Sequence, residues 1–459
     1  MSGVVTINSG DLLNAIYPQL KPQITSEPEV ARQPYSYIVW TDGSKYYAKN
    51  GSTGQVEYSD ADASRVIQYA IDKTVENDYW GAVFLKAGVY YLTDTIYLWC
   101  GVGLVGEKHG WADASGGRVT VYSGAVLYSN VNKPIIKVAV HPKWVGADPK
   151  SYNSRKNFPF IRDIIVYGSN NPNYTAQNGI EITDEAYIYD FIMDKTFVAY
   201  TGGHGLYNRN PTNKIWINQC YFEFERGDAI RVDSCGVVHI VNSNIGANAG
   251  SGININGWAY VSVANASIDS NKGYGVIVSN GVVMISGSRI SYSGLHGVFV
   301  RGGYVVLAGN SIESNGDGYS NVRVDGGRVV VTGNLVADFR SPAKTSFNVD
   351  IRGGEVVVVG NNFPPALKPV YGMVNQTAGA AVIRNNHGYA NTGSGVATIP
   401  AGSTRVTVSH NLAGAPSKVL ATPLGNARIW IENITSTSFD IVTDAAPTSD
   451  LRVSWYAEI

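Results

Sequence analysis

Two ladders of short β-type runs, in step with one another, constrain this chain more than any other feature. Runs of the form G-(apolar)-x-(apolar) begin at Gly179, Gly205, Ala229, Gly252, Gly275, Gly297, Asn321 and Asn348, spaced 22 to 27 residues apart. A second column, (apolar)-x-(polar or Gly)-x-x-(apolar), has its third position at Asp163, Asp190, Gln219, Asn242, Asn265, Gly287, Gly309, Gly333 and Gly360. Each unit alternates with period 2 and has no room for a crossover helix beside its strands. A leucine consensus is absent, which excludes a leucine-rich repeat. What remains is a parallel β-helix, in which each coil lays its strands on those of the coil below at about 4.8 Å. Asn and Gly suit the tight turns because both tolerate left-handed backbone angles, and stacked Asn side chains can bond to one another.

The flanks differ from the repeats. DADASRVIQYAIDKTVEN (60–77) places Val66, Ile67, Ala70, Ile71 and Val75 on one face, with Asp and Ser before it as caps. It reads as an amphipathic helix closing the bottom of the coil, where strand edges and apolar stacks would otherwise be exposed. The first strands follow in 80–107. Residues 396–459 lose the period and alternate in TRVTVSHNL, ARIWIEN, SFDIVTD and LRVSWYAEI, the pattern of a small antiparallel β-sandwich. The expected organisation is therefore all-β: an N-terminal arm (1–56) with a hairpin around 42–54, a parallel β-helix (57–390) with an N-terminal capping helix, and a C-terminal sandwich (391–459) for trimerisation or carbohydrate binding.

Composition narrows the partners. Only 15% of the 459 residues are charged and the net charge is -1, which argues against nucleic acid, whose phosphates call for clustered Lys and Arg. The 29 Tyr and 9 Trp supply rings for flat or apolar ligand faces. Three cysteines exclude a disulfide framework and a site of closely spaced cysteine ligands. Cys220 and Cys235 fall on neighbouring coils, so one disulfide is sterically open, with two buried thiols the preferred reading. The first twenty residues lack a basic region followed by an apolar one and do not read as a secretory signal. No apolar run reaches 18 residues, so no membrane-spanning helix is expected.

The capping helix followed by GAVFLKAGVYYLTDTIYL…GVGLVGE resembles the opening of the pectate-lyase-like superfamily of right-handed β-helices, over about 57–390. That resemblance implies a polysaccharide partner, through a lyase, a glycoside hydrolase or a virus tailspike. It also implies an extracellular or virion-surface location. No cofactor is expected, except calcium if the chemistry were that of a lyase. The arm YSYIVWTDGSKYYAKNGSTGQVEYS looks like the lead-in of such proteins in heat-loving archaea and their viruses. PSKV, TSFDI and VSWYAEI near the C-terminus are similar to H-type lectin domains, which are trimeric and bind sugars. The GGHG at 202–205 is similar to a polygalacturonase segment, yet the upstream Asp-Asp pair of those enzymes is missing from this chain.

Alternation then selects the candidate residues. The outward positions of the G-(apolar)-x-(apolar) runs form two columns, Glu181, Tyr207, Arg231, Asn254, Ile277, Phe299, Arg323, Asp350 and Thr183, Arg209, Asp233, Asn256, Ser279, Arg301, Asp325, Arg352. Early coils thus bring Glu181, Tyr207, Arg209, Arg231 and Asp233 onto one face as the catalytic candidates. Glu181 and Asp233 lie two coils apart, roughly 10 Å, near the upper limit for inverting glycosidases; a lyase would instead use Tyr or Arg as base. The plainer alternative is a ladder of exposed ion pairs worth little. Glu223, Glu225, Arg226 and Asp228 form a loop expected to overhang this face. His204, Trp216 and Trp258 complete the substrate-binding set. Asp163 and Asp190 read as turn residues. On another face Met284, Val306, Val330 and Val357 point outward although apolar, and a symmetry-related copy, giving a homotrimer, is the simplest cover. The function expected is a tailspike-like protein that binds and depolymerises polysaccharide. A non-catalytic adhesive fibre and a free lyase or hydrolase are the alternatives.

Overall fold

The computed structural model describes residues 35–459 apart from 79–80, 109–110, 116–117, 143–157, 183–189 and 210–211. The opening segment read for a leader and Thr183 therefore lie outside the described residues. The chain forms two compact units, 1–273 and 274–459.

In the first unit the strands Tyr37–Thr41, Tyr46–Asn50 and Val56–Asp60 pair antiparallel, and Tyr37–Thr41 then pairs parallel with Gly81–Leu85. Between them runs the helix α1, Ala63–Asp78. The carboxylate of Asp62 accepts the Ser64 backbone N–H at 2.9 Å and so caps it. Val66, Ile67, Ala70, Ile71 and Val75 are fully buried, so the expected amphipathic face is the one that packs. Three parallel sheets follow. The first sheet includes Phe160–Arg162, Asp190–Asp194, Thr212–Asn218, Cys235–Val241 and Tyr260–Ala264. The second includes Ile164–Tyr167, Phe197–Ala199, Tyr221–Glu223, Asn244–Gly246 and Ser267–Asp269. The third includes Ile180–Ile182, Leu206–Asn208, Ile230–Val232 and Ile253–Ile255. Each strand pairs in register with its counterpart one coil on, as in Glu181↔Tyr207↔Arg231↔Asn254.

The second unit repeats the three-sheet coil and ends in two three-stranded antiparallel sheets. In the coil 297–316 Val298, Val300, Val305, Leu307 and Ile312 all point inward and are fully buried. Burial of each such side chain is worth about 1.5–3 kcal/mol. The C-terminal sheets, Thr392–Ile399 with Leu451–Glu458 and Lys418–Pro423, and Arg405–Ser409 with Ser438–Thr443 and Ile429–Glu432, close over Ile399, Phe439, Ile441 and Val453.

The turns carry one correction and one addition. Left-handed φ recurs at Asp163, Gln219, Asn242 and Asn265 in the first unit, and at Gly287, Gly309, Gly333 and Gly360 in the second. In the coil between Asp163 and Gln219 the turn residue is Lys195 (φ 47°), and Asp190 instead opens the strand Asp190–Asp194. Both Asp190 and Lys195 satisfy the apolar-flanked pattern, so the sequence alone chose the wrong register. The addition is a second left-handed column after the second sheet, at Tyr200, Phe224, Ala247 and Ser270, then Tyr292 and Ser314. Ordinary side chains pay roughly 1–2 kcal/mol there, and nothing in their identity announces the turn.

Each turn column is followed by an inward polar ladder. Asn310 donates its backbone N–H and Nδ2 to Asn334 Oδ1 at 2.9 and 3.0 Å, Asn334 does the same to Asn361, and Asn361 to Asn386. After the second column Asn248 bonds to Asn271 in this way, and the Glu225 N–H donates to Asn248 Oδ1 at 2.9 Å. The Glu225 side chain therefore occupies an amide position. It is 1% exposed, and neither carboxylate oxygen has a hydrogen-bond partner. Burial pushes its pKa well above the usual 4.5, so the group is held neutral. The cysteines are free and buried, which settles the thiol alternative.

Two outcomes follow from the ladders. Asn334→Ala removes the acceptor of two buried N–H groups, and urea unfolding should register a loss of about 2–4 kcal/mol; a loss under about 0.5 kcal/mol would deny the ladder a stabilising role. For Glu225, the unfolded chain releases its proton near pH 4.5 while the folded chain keeps it. Its contribution is therefore present below pH 4.5 and falls by up to about 1.4 kcal/mol per unit as pH rises above it. Glu225→Gln should thus melt higher than the parent at pH 8, with the gap closing toward pH 4.5.

Candidate functional site

The third sheet of the first unit gathers five of the sequence-selected residues. Glu181, Tyr207 and Arg231 are in-register neighbours on successive strands, with Arg209 and Asp233 in the flanking outward column. All point outward because Ile180, Ile182, Leu206, Ile230 and Val232 take the inward positions and are fully buried. The Tyr207 hydroxyl donates to Asp233 Oδ2 at 2.7 Å. Arg231 Nε donates to Asp233 Oδ1 at 3.0 Å, and Asn256 Nδ2 adds a third bond at 3.2 Å. The guanidinium groups of Arg209 and Arg231 lie 5.2 and 5.4 Å from the Tyr207 ring centroid. Glu181 accepts Asn178 Nδ2 at 2.7 Å and faces Arg209 at 3.6 Å.

These contacts set the protonation states. Burial works to raise the Asp233 carboxyl, but bonds from Tyr207 and Arg231 outweigh it and hold it below the usual carboxylate range. Tyr207 is pushed up, first by burial and then by its bond to Asp233, so it stays a phenol at neutral pH. Neither is poised as the expected acid or base: Asp233 is ionised and committed, and Tyr207 resists deprotonation. Among the described residues no group of three or more His, Cys, Asp or Glu side chains converges on a point where a metal could sit.

His204 and Asp228 border the same face. The Asp228 backbone N–H donates to His204 Nδ1 at 2.9 Å, which places the proton of the neutral ring on Nε2. Burial lowers the His204 pKa against the opposing charge of Asp228. Asp228 in turn accepts the Ser251 N–H and Asn254 Nδ2, both at 2.8 Å. In the second unit His296, which also precedes the glycine opening a third-sheet strand, accepts the Ser320 N–H at 2.9 Å in the same manner. A histidine before that glycine thus serves to tie the next coil's loop, and the His-Gly dipeptide at 204–205 and 296–297 was the sequence signal for it.

The remaining candidates are distributed elsewhere. Glu225 is sealed in the polar ladder and cannot overhang the third sheet. Glu223 ends the second-sheet strand Tyr221–Glu223, and Asn244 Nδ2 donates to it at 3.1 Å. Trp216 stands on the first sheet, its ring stacked on His239 with centroids 4.1 Å apart. Trp258 lies in the turn from third to first sheet, edge-on to Tyr260. The sequence placed these residues in the right coils; the turns rotate them onto different faces. Asn178, a ligand of both Glu181 and the His204 N–H, was missed because it precedes the repeat that defined the columns.

Residues 251–435 match the family described as "Right handed beta helix region". No curated protein matches the chain in sequence. Among solved structures, the chain is similar to the tailspike protein gp49 from Pseudomonas phage LKA1, with TM-score 0.50 and 12% identity over 86% of this chain and 92% of that one. The A-module of mannuronan C-5 epimerase AlgE6 from Azotobacter vinelandii gives TM-score 0.47 and 17% identity over 71% and 93%. The Gp54 tailspike of Acinetobacter baumannii bacteriophage AP22, solved with a capsular saccharide, gives 0.41 and 10% over 86% and 94%. At such identities the likeness is one of fold, and with the register of the coils it identifies this chain as a right-handed parallel β-helix.

Proposed function

We propose that this protein binds polysaccharide along its third sheet, as a tailspike-like protein at a virion or extracellular surface. The observation that carries the reading is the Tyr207 constellation. Its ring is held by two guanidinium groups and its hydroxyl by Asp233, with Asn254 and Asn256 continuing the polar row one coil on. A row of fixed donors, acceptors and ring edges running from coil to coil suits an extended chain of hydroxylated rings, whose recognition needs polar groups positioned in advance. The likeness of fold to a phage tailspike supports the coil architecture and adds nothing to the chemistry. The paired carboxylates Glu181 and Asp233 favour holding a glycan over cleaving one at this face.

The proposal extends to assembly as a homotrimer. In the second unit the outward positions Met284, Val306, Val330, Val357 and Val382 are in register on five successive strands. Met284 is 51% and Val382 46% exposed. Parallel sheets are ordinarily covered on both faces, and a flat column of small apolar side chains fits a second copy of itself better than water. Leu420 and Trp430 add exposed apolar surface on the C-terminal sheets, where a lectin-like contact or trimer contact would lie.

Two measurements test these readings. On an array of acidic and neutral polysaccharides, the protein should be retained on at least one glycan, and Tyr207→Ala or Arg231→Ala should weaken retention at least tenfold; unchanged retention in both would move the binding face elsewhere. Light scattering should give three times the chain mass, and Met284→Lys with Val330→Lys should yield a folded monomer. A monomeric parent protein would end the trimer reading.

A further inference from the structure

Glu225 occupies a slot that holds an amide in the coils that follow. Asn248 Nδ2 donates to Asn271 Oδ1 at 2.8 Å and to the Phe222 carbonyl at 3.3 Å, while its Oδ1 accepts the Glu225 N–H at 2.9 Å. The Glu225 carboxyl makes neither kind of bond: both oxygens are buried without a partner. One of them lies 3.1 Å from where a Cβ on Gly205 would stand. The carboxyl is therefore pressed against the residue that leads into the strand Leu206–Asn208, which carries Tyr207. The charged groups around it give no relief. Glu223, on the strand that enters the turn, opposes its ionisation. His204 and Asp228, on the loops of the two coils, face one another. Arg226 turns its guanidinium to Asn170, at 3.1 Å from both the side-chain oxygen and the carbonyl. Arg231 points outward to Asp233, and the stretch 244–253 of the next coil carries no charged residue. A partnerless carboxylate is far more costly in such a slot than the protonated acid.

The backbone on either side of this carboxyl ties the third-sheet face together. Arg226 N–H donates to the Thr201 carbonyl at 2.9 Å, and Gly227 N–H to the Gly203 carbonyl at 2.7 Å. Asp228 N–H donates to His204 Nδ1 at 2.9 Å. From His204 the chain of bonds runs through its N–H to Asn178, and from Asn178 to Glu181. In the other direction the Asp228 carboxylate holds Asn254. The loop 225–228 thus joins an inner slot to both ends of the row Glu181, Tyr207, Arg231, Asn254. Two coils on, Lys272 N–H and Gly273 N–H repeat the loop pattern, bonding to the Asn248 and Gly250 carbonyls at 2.8 Å each, with the amide Asn271 in the slot.

We propose that Glu225 makes the loop 225–228 a proton-dependent latch on the third-sheet face, closed while its carboxyl carries a proton and released when the proton leaves. In the open loop the carboxyl meets water and titrates near the ordinary 4.5, whereas burial in the closed loop keeps the proton on to higher pH. The closed form therefore binds more protons above that value. Closure is at full strength below it, and the opening equilibrium grows by up to about tenfold per pH unit above it. Opening takes the donor from His204 Nδ1 and the partner from Asn254. On the reading that this face holds polysaccharide, on which this consequence rests, the ligand is gripped in acid and let go as pH rises.

Amide hydrogen exchange on the full-length protein tests the latch without any ligand. Protection, corrected at each pH for the intrinsic exchange rate, is compared between about pH 5 and about pH 8. In the parent protein the amides of 226–228 should lose about 100-fold or more of their protection, and those of 272–273 less than about threefold. Glu225→Gln keeps the size of the side chain and removes its titration, so its protection at 226–228 should stay level. Glu225→Asn, which installs the residue found at 248 and 271, should do the same and serves if the first variant folds poorly. Glu223 and His204 titrate alike in parent and variants, so their effects cancel in the comparison. Equal pH dependence at 226–228 and 272–273, a fall spread evenly over the first unit, or the same local fall in Glu225→Gln would overturn the latch. A glycan array read at the two pH values then tests the consequence: the parent should release at the higher pH a glycan that Glu225→Gln retains. Local loss of protection with retention that is absent or indifferent to pH leaves the latch standing and removes the third-sheet site; pH-independent protection with steady retention does the reverse.

Discussion

The three-sheet coils of this molecule depend on parallel pairing held in strict register. Each strand takes its backbone hydrogen bonds from the coil before and the coil after, so no coil is self-sufficient and each position inherits its environment from the residues one period away. The inward valine, isoleucine and leucine stacks and the asparagine ladder are the same constraint expressed in apolar and polar side chains. An amide suits the ladder because it donates and accepts at once, passing the bond along in one direction from Asn310 to Asn386. A carboxylate lacks the donor. Glu225, seated in the same kind of position, finds no partner for either carboxyl oxygen, and burial raises its pKa well above the usual value.

The architecture was legible because the period is written twice. Core residues such as Val305 and Leu307, the face of α1, and the outward column Glu181, Tyr207, Arg231 all follow from alternation once the coil is recognised. The turns were less legible. Asp190 and Lys195 both satisfy the flanking pattern, and only the length of the strand Asp190–Asp194 decides between them. The left-handed column at Tyr200, Phe224 and Ala247 carries no glycine or asparagine signature, since the surrounding coil imposes the backbone angle on whatever residue stands there.

Faces were harder to read than coils. Glu223, Glu225 and Asp228 are close in the chain, yet a sheet end, a buried ladder and a loop beside the third sheet claim one each. A turn of two or three residues rotates the outward direction by a whole face, so proximity in sequence predicts proximity in space only along a column.

Register also fixes distance. Along any column, two side chains are separated at the backbone by whole multiples of about 4.8 Å, and no intermediate value is available. Neighbouring coils would set a pair of carboxyl groups close to the roughly 5–5.5 Å of covalent glycoside chemistry, and alternate coils near the wider gap that admits a water. Among such coils a change of reaction stereochemistry does not require gradual drift of a loop. It requires moving one acidic residue by one coil.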